Sequence, residues 1–284
     1  SISYERVKNY WAADLPVNKG QSNFDAISYE YYRDRDVATE AFKSGAFDLR
    51  AENQSKRWAT AYDFPALKEG KVKKILIPHE RPTGMQGFVF NTRKDFFSDP
   101  KVRLAINYAW DFEWTNKTLM YDAYKRTNSY FSNSELSSSG TLPEGEELKI
   151  LQKFKRQVPK QVFDEVYKAP QTDGSGNNRK NLRLALKLLR EAGWAVKDGK
   201  LVNRNGIPLK FELLIAYPSI ERLALPLKQS LKRLGIEMSI RTVDVAQYQQ
   251  RVDTFDFDMI VSSFGQSLSP GNEQRDFWHS TNAD

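Results

Sequence analysis

Residues 209–265 read LKFELLIAYPSIERLALPLKQSLKRLGIEMSIRTVDVAQYQQRVDTFDFDMIVSSFG. Three strand-like stretches stand out, Phe211 to Ala216, Ile236 to Val243 and Phe257 to Val261. Between the first two, a helix starting at Ser219 places Leu223, Leu227, Leu231 and Leu234 on one face and stops at Gly235. A shorter helical stretch separates the second strand from the third. Strand, helix, strand, helix, strand is the pattern of a parallel sheet whose crossovers are right-handed and whose faces are covered by helices. The third strand ends at Ser262, Ser263, Phe264 and Gly265 and opens into the polar loop SFGQSLSPGNEQ. Loops leaving the carboxyl ends of strands in α/β sheets are where such folds hold ligands, so part of any ligand site is expected there. No residue near that point has the chemistry of a catalyst.

Upstream, Leu182, Ala185, Leu186 and Leu189 predict a helix ended by Gly193, preceded by the flexible loop QTDGSGNNR at residues 171 to 179. Asp198-Gly199 and Asn205-Gly206 predict a hairpin between Lys197 and Ile207. Ser98-Asp99-Pro100 is a capping residue followed by proline at a first helical position, and Val102, Ala105, Ile106 and Ala109 form an apolar face carrying on towards Leu119. From Tyr121 to Gly145 the pattern dissolves into a polar connection whose length is more often functional than accidental. Nearer the start, Ala26 to Tyr32 and Val72 to Pro78 have strand composition. Between them Val37, Ala38, Ala41 and Phe42 predict a helix, with Asp34 or Asp36 at its start and Gly45 at its end. RPTGMQG, residues 81 to 87, then reads as a crossover between two lobes before the apolar run Phe88 to Phe90.

At 284 residues the chain has room for two domains, and its 40% hydrophobic and 28% charged content is that of an ordinary globular protein. It contains no apolar run of membrane-spanning length. The absence of cysteine excludes disulfides, thiolate metal sites and cysteine nucleophiles, and His79 and His279 are too far apart to suggest an imidazole metal site. The net charge of +7 is spread along the chain and interleaved with acids, which reads as solvated surface rather than a nucleic-acid footprint.

Glu144, Glu146 and Glu147 could supply the paired carboxylates of a glycoside hydrolase, yet three acids just before a helical stretch are better explained as favourable charge at a helix N-terminus. Nucleophile and phosphate-loop motifs are absent, and DGSGNN lacks a preceding strand and a suitably placed lysine. Aromatic residues in polar loops are harder to bury, which marks Tyr130, Phe131 and Phe264 as walls of a cleft. Ser129, Ser132, Asn133, Ser263 and Gln266 would supply hydrogen bonds, and the backbone of Ser263 and Gly265 could pair with an extended ligand.

Several stretches taken together, KNYWAADLPVN, EAFKSGAFDLR, GFVFNTRKDFFSDPKVRLAINYAWDFEWTN, ALKLLREAGW and the segment from LALPLKQ to DFDMIVSSF, resemble the family 5 solute-binding proteins of ABC importers. GMQGFVFNTR, WATAYDFPA, DFEWTN and RTNSYFSNSEL are most similar to the Yej-type oligopeptide-binding members, associated with peptide and microcin C uptake. The resemblance implies a two-lobed α/β carrier of the type II periplasmic-binding-protein architecture that closes over an extended oligopeptide and delivers it to membrane permease subunits. It implies a fragment, with residues 1–83 ending the larger lobe and residues 84–284 forming most of the second. A periplasmic, monomeric protein without cofactor, metal, nucleic-acid partner or catalytic residue is expected, with a non-peptide solute such as an oligosaccharide or opine as the alternative cargo. The expected ligand-binding set is Gln86, Phe88, Tyr130, Phe131, Ser132, Tyr217, Ser263, Phe264, Gly265, Gln266 and Ser267. Members of the family often hold the ligand's amine with a loop aspartate; that position falls at or near Ser267, with no acid before Glu273. A blocked, modified or differently oriented peptide would suit this departure.

Overall fold

A computed structural model describes residues 1–138 and 140–282 of the chain. The chain divides into two compact units, Ser1–Leu76 and Ile77–Asp284, where the sequence places its boundary after residue 83.

In the first unit, β1 (Ile2–Glu5) and β2 (Ala26–Tyr29) form an antiparallel ribbon, shorter than the Ala26 to Tyr32 run suggests. Helix α1 (Arg35–Lys43) begins where expected, because the Asp34 carboxylate accepts the backbone N–H groups of Asp36 and Val37. Helices α2 (Ser55–Thr60) and α3 (Pro65–Lys68) follow. Phe42 lies against Phe47, Tyr62 and Phe64, while Arg57 pairs with both Asp36 and Glu52. The strand expected over Val72 to Pro78 does not form. Ile75, Leu76 and Ile77 are 62%, 82% and 76% exposed, and no described segment pairs with them, so strand composition there has neither a hydrogen-bonding partner nor a surface to cover.

The second unit opens with β3 (Met85–Phe90), which begins three residues before the apolar run Phe88 to Phe90. After α4 (Asp95–Ser98) comes α5 (Pro100–Ala109), capped by Asp99 and burying Val102, Ala105, Ile106 and Ala109 as their spacing requires. Its apolar face does not carry on to Leu119. Trp110 turns to an extended conformation, and the buried Asp111 carboxylate accepts the Trp114 N–H at 3.1 Å, starting a separate helix α6 (Phe112–Leu119). Among the described residues from 121 to 144 there is no helix or strand. Then follow α7 (Gly145–Lys153), α8 (Gln161–Asp164) and α9 (Arg179–Glu191), the last burying Leu182, Ala185 and Leu189.

The hairpin of β4 (Ala195–Lys197) and β5 (Lys200–Val202) turns at Asp198 and Gly199, both at positive φ (49° and 73°) as a two-residue hairpin turn needs. The 209–265 segment then folds as read: β6 (Lys210–Ile215), α10 (Pro218–Arg233), β7 (Glu237–Thr242), α11 (Val245–Asp253) and β8 (Met259–Phe264). Helix α10 starts one residue earlier than expected, with Pro218 in its first turn. A final helix, α12, spans Asn272–Trp278.

The four-stranded sheet has the order β3-β8-β6-β7, with β6 parallel to β7 and β8, and β3 antiparallel to β8. On one face the main core packs Phe211, Leu213, Ile215 and Met259 against α5, α9 and α10. On the other face Leu214, Phe257 and Ile260 meet Tyr248 and Val252 of α11. Asn91 anchors the far end of β3, its side-chain amide donating to the carbonyls of Phe255 (2.9 Å) and Phe257 (2.8 Å).

The two faces of α9 give a direct test of this arrangement. Leu189 is fully buried and Leu184 is 40% exposed. Leu189→Ala is expected to cost about 2–5 kcal/mol in urea denaturation, whereas Leu184→Ala should stay within about 0.5 kcal/mol of the parent.

Candidate ligand-binding site

The start of β3 and the end of β8 meet at the carboxyl ends of the parallel strands. Gly84 has φ +67°, and a Cβ there would lie 2.5 Å from the Phe264 carbonyl oxygen. Only glycine tolerates both the left-handed conformation and that approach. Two residues on, Gln86 stands opposite Ser263 in the register, and its side-chain amide donates to the Ser263 hydroxyl at 3.2 Å.

The long polar connection is tied to this corner at several points. The Thr83 N–H donates to the Ser132 carbonyl at 2.9 Å. The Asn133 amide, on a backbone at φ +70°, donates to the carbonyls of His79 (2.7 Å) and Arg81 (3.0 Å). Within the connection, the Ser129 hydroxyl accepts the N–H groups of Phe131 (3.2 Å) and Ser138 (3.1 Å). The Asn128 side-chain oxygen (Oδ1) accepts the Ala169 N–H at 2.9 Å. Side-chain and backbone bonds thus give a segment without regular structure a defined path.

This path brings Tyr130 to Phe264, with ring centroids 5.6 Å apart, and two further rings complete the cluster. Trp278 stacks on Phe264 at 5.7 Å and 17°, and meets Tyr130 edge-on at 4.8 Å; Phe277 lies 5.4 Å from Phe264. Burial raises the Tyr130 phenol above its ordinary pKa. Trp278 remains 49% exposed, leaving aromatic surface facing solvent. Sequence reasoning missed both α12 aromatics; the one available signal was their adjacency three residues after the loop.

In the loop itself, Gly265 is exposed and has open space around it. The Gln266 side-chain oxygen accepts from the Gln274 amide, while the Gln266 amide nitrogen is buried with no partner. The Ser267 hydroxyl lies 2.7 Å from the Ser269 carbonyl and 3.1 Å from the Glu273 carboxylate. Glu273 also accepts the Gly271 N–H at 3.0 Å, and this backbone bond, ahead of the Ser267 hydroxyl, holds its pKa below the ordinary value. The acid that the sequence places too late in the loop is therefore folded back against Ser267.

Two recesses open here. One, of about 440 Å3, is lined by His79, Arg81, Pro82, Thr83 and Gln266. The other, of about 450 Å3, is lined by Asn128, Ser129, Tyr130, Phe131, Ser138 and Trp278. The remaining candidates line neither recess. Phe88 is half-buried and packs edge-on against Trp110 at 5.4 Å. Tyr217, 52% exposed, occupies the N-cap position of α10 after β6. Glu144, Glu146 and Glu147 are exposed at the start of α7.

The whole chain, residues 1–284, matches the family model of the bacterial extracellular solute-binding proteins, family 5 Middle. The chain belongs to that family. Among its relatives, the probable peptide-binding protein YejA of Agrobacterium fabrum is 48% identical over 287 residues, covering 100% of this chain and 47% of that protein. The peptidoglycan-binding protein YepA of the same organism is 41% identical over 290 residues, again covering 100% of this chain and 47% of its own length. Among solved structures, the oligopeptide-binding protein AppA of Bacillus subtilis, in complex with a nonapeptide, matches 91% of this chain and 44% of its own at 21% identity and a TM-score of 0.61. The α/β fold of the family 5 binding proteins is thus shared, and the chain spans less than half the length of the curated relatives it matches. None of the described helices is long and apolar enough to cross a membrane.

Gly84 and Gly265 test the corner's construction. Gly84→Ala should lower stability by about 1–3 kcal/mol through strain and the clash with Phe264. Gly265→Ala, with nothing within 4 Å of its Cβ, should change the urea midpoint little. Equal effects would show that β3 and β8 do not meet this closely.

Proposed function

We propose that the full-length protein is the substrate-binding component of an ABC importer, that it works in the periplasm, and that it captures extended oligopeptides for delivery to membrane permease subunits. The observation that carries this reading is the convergence, at one strand end, of exposed Gly265 backbone, the Gln86 and Ser263 side chains and the Tyr130–Phe264–Phe277–Trp278 rings. An extended peptide offers what such a surface takes, alternating main-chain polar groups and apolar side chains. Affinity then comes from burial of side chains against the rings and from main-chain hydrogen bonds, with the polar residues fixing orientation. The name of YejA, 48% identical, supports peptides.

A narrower reading concerns the peptide's amino end. Ser267 stands where an acid is often found in the family, and its hydroxyl is already engaged with Ser269 and Glu273. The amino end of the cargo is therefore blocked, modified or directed elsewhere. A sugar-bearing or otherwise modified peptide fits the second recess, where the exposed face of Trp278 borders the polar groups of Asn128, Ser129 and Ser138. The name of YepA points in the same direction.

Thermal unfolding of the full-length protein with a random tetrapeptide mixture tests the peptide reading. A ligand at one hundred times its Kd stabilises the folded state by about 2.7 kcal/mol, so Tm should rise with peptide concentration. Trp278→Ala should weaken binding about tenfold or more, a loss of about 1.4 kcal/mol. A Tm insensitive to peptides, together with an oligosaccharide or opine retained in native mass spectrometry, would overturn the assignment.

A further inference from the structure

We infer that Arg81, His79 and Gln266 form a subsite for a carboxylate of the bound ligand. The inference rests on the peptide reading above and adds the charge and position of one group the peptide must carry.

The argument begins with the backbone. His79 and Arg81 are two apart, and both line the recess of about 440 Å3, whereas Glu80 between them does not. The Asn133 amide bridges the carbonyls of the same two residues, so their spacing is fixed from the long connection. The recess thereby gathers two groups able to carry positive charge and no acid.

Of the lining side chains, Arg81, His79 and Gln266 carry donors not spent on the Ser132 carbonyl as the Thr83 hydroxyl is. Arg57 is committed to Asp36 and Glu52, and Arg251 to Glu212 and Asp256. The Arg81 guanidinium has no ion pair or side-chain hydrogen bond among the described residues, and it is exposed. His79 accepts the Arg81 backbone N–H on Nδ1 at 3.3 Å, which places the neutral ring's proton on Nε2, facing away from that bond. The Gln266 amide nitrogen is a buried donor without an acceptor, its oxygen being occupied by Gln274. A buried N–H without an acceptor is unfavourable, so a ligand oxygen that comes within its reach gains by satisfying it.

A recess that gathers Arg81 and His79 and has no carboxylate among its lining residues selects an oxyanion. The planar fork of arginine matches the two oxygens of a carboxylate in a bidentate pair. The nearby Glu273 does not compete, since it is not among the lining residues and its oxygen is taken by the Gly271 N–H and the Ser267 hydroxyl. The carboxylate has two sources on a peptide, its C-terminus or an acidic side chain.

Three random tetrapeptide pools distinguish these with the full-length protein: free C-termini without Asp or Glu, C-terminal amides without Asp or Glu, and C-terminal amides with one Glu. Peptides retained after equilibrium dialysis are quantified by mass spectrometry. The wild-type protein should retain one acidic pool at least tenfold better than the neutral amide pool. Preference for the first pool assigns the C-terminus and preference for the third assigns a side chain. In Arg81→Gln the preference should fall below twofold, and Arg81→Lys, which keeps the charge but loses the fork, should fall between. An undiminished preference in Arg81→Gln, or no preference in wild type, overturns the subsite and leaves the peptide reading standing. Failure of wild type to retain any pool overturns the peptide reading, and the subsite with it.

Discussion

The pairing of β3 with β8 is the constraint on which the second unit depends. It joins residues 85–90 to residues 259–264 in an unbroken antiparallel register. Closing so long a loop is entropically unfavourable, and the contact is held at both ends. At one end Gly84 lies under the Phe264 carbonyl; at the other Asn91 donates to Phe255 and Phe257. Because β3 follows directly from residues 79–84, the same pairing carries His79 and Arg81 to the mouth of the loop after β8. The long connection then fastens onto that segment through Ser132 and Asn133. Three distant stretches thereby share one strand end.

What the strand end offers follows from how its groups are spent. Hydroxyls and amides of Ser129, Asn128 and Asn133 are used to shape the connection, which leaves Tyr130 and Trp278 as partly exposed rings. Glu273 is spent in the loop, bonded to Gly271 and Ser267. Arg81 is not spent at all on another side chain of the described residues. A surface of rings beside unspent donors suits the proposed binding by burial and hydrogen bonding, in a chain that belongs to a family of solute-binding proteins.

Local signals in the sequence were readable wherever a local cause acts. The leucines of α10, the Asp34 and Asp99 caps and the Asp198-Gly199 turn each specify their element through neighbours in sequence, and each forms. The loop after β8 is legible as the exit from a parallel strand's carboxyl end, and the Tyr130 region as aromatic residues in polar surroundings; the structure brings the two together. Non-local causes were not readable. The antiparallel partner of β8 depends on a chain reversal that no local pattern records. The segment 72–78 has strand composition but pairs with no strand among the described residues. Asp111 breaks an apolar face that looks continuous, because its side chain competes for the backbone of the next turn. Trp278 and Arg81 gained their place only through the fold, one by stacking on Phe264 and the other by the β3 pairing.

Hydrogen–deuterium exchange of the full-length protein, with and without a saturating random tetrapeptide mixture, addresses the central claim most directly. The account predicts that peptide slows exchange at residues 79–86, 129–133, 263–267 and 277–278 together, while the hairpin of β4 and β5 is unaffected. Protection confined to other parts of the chain, with these segments unchanged, would contradict it.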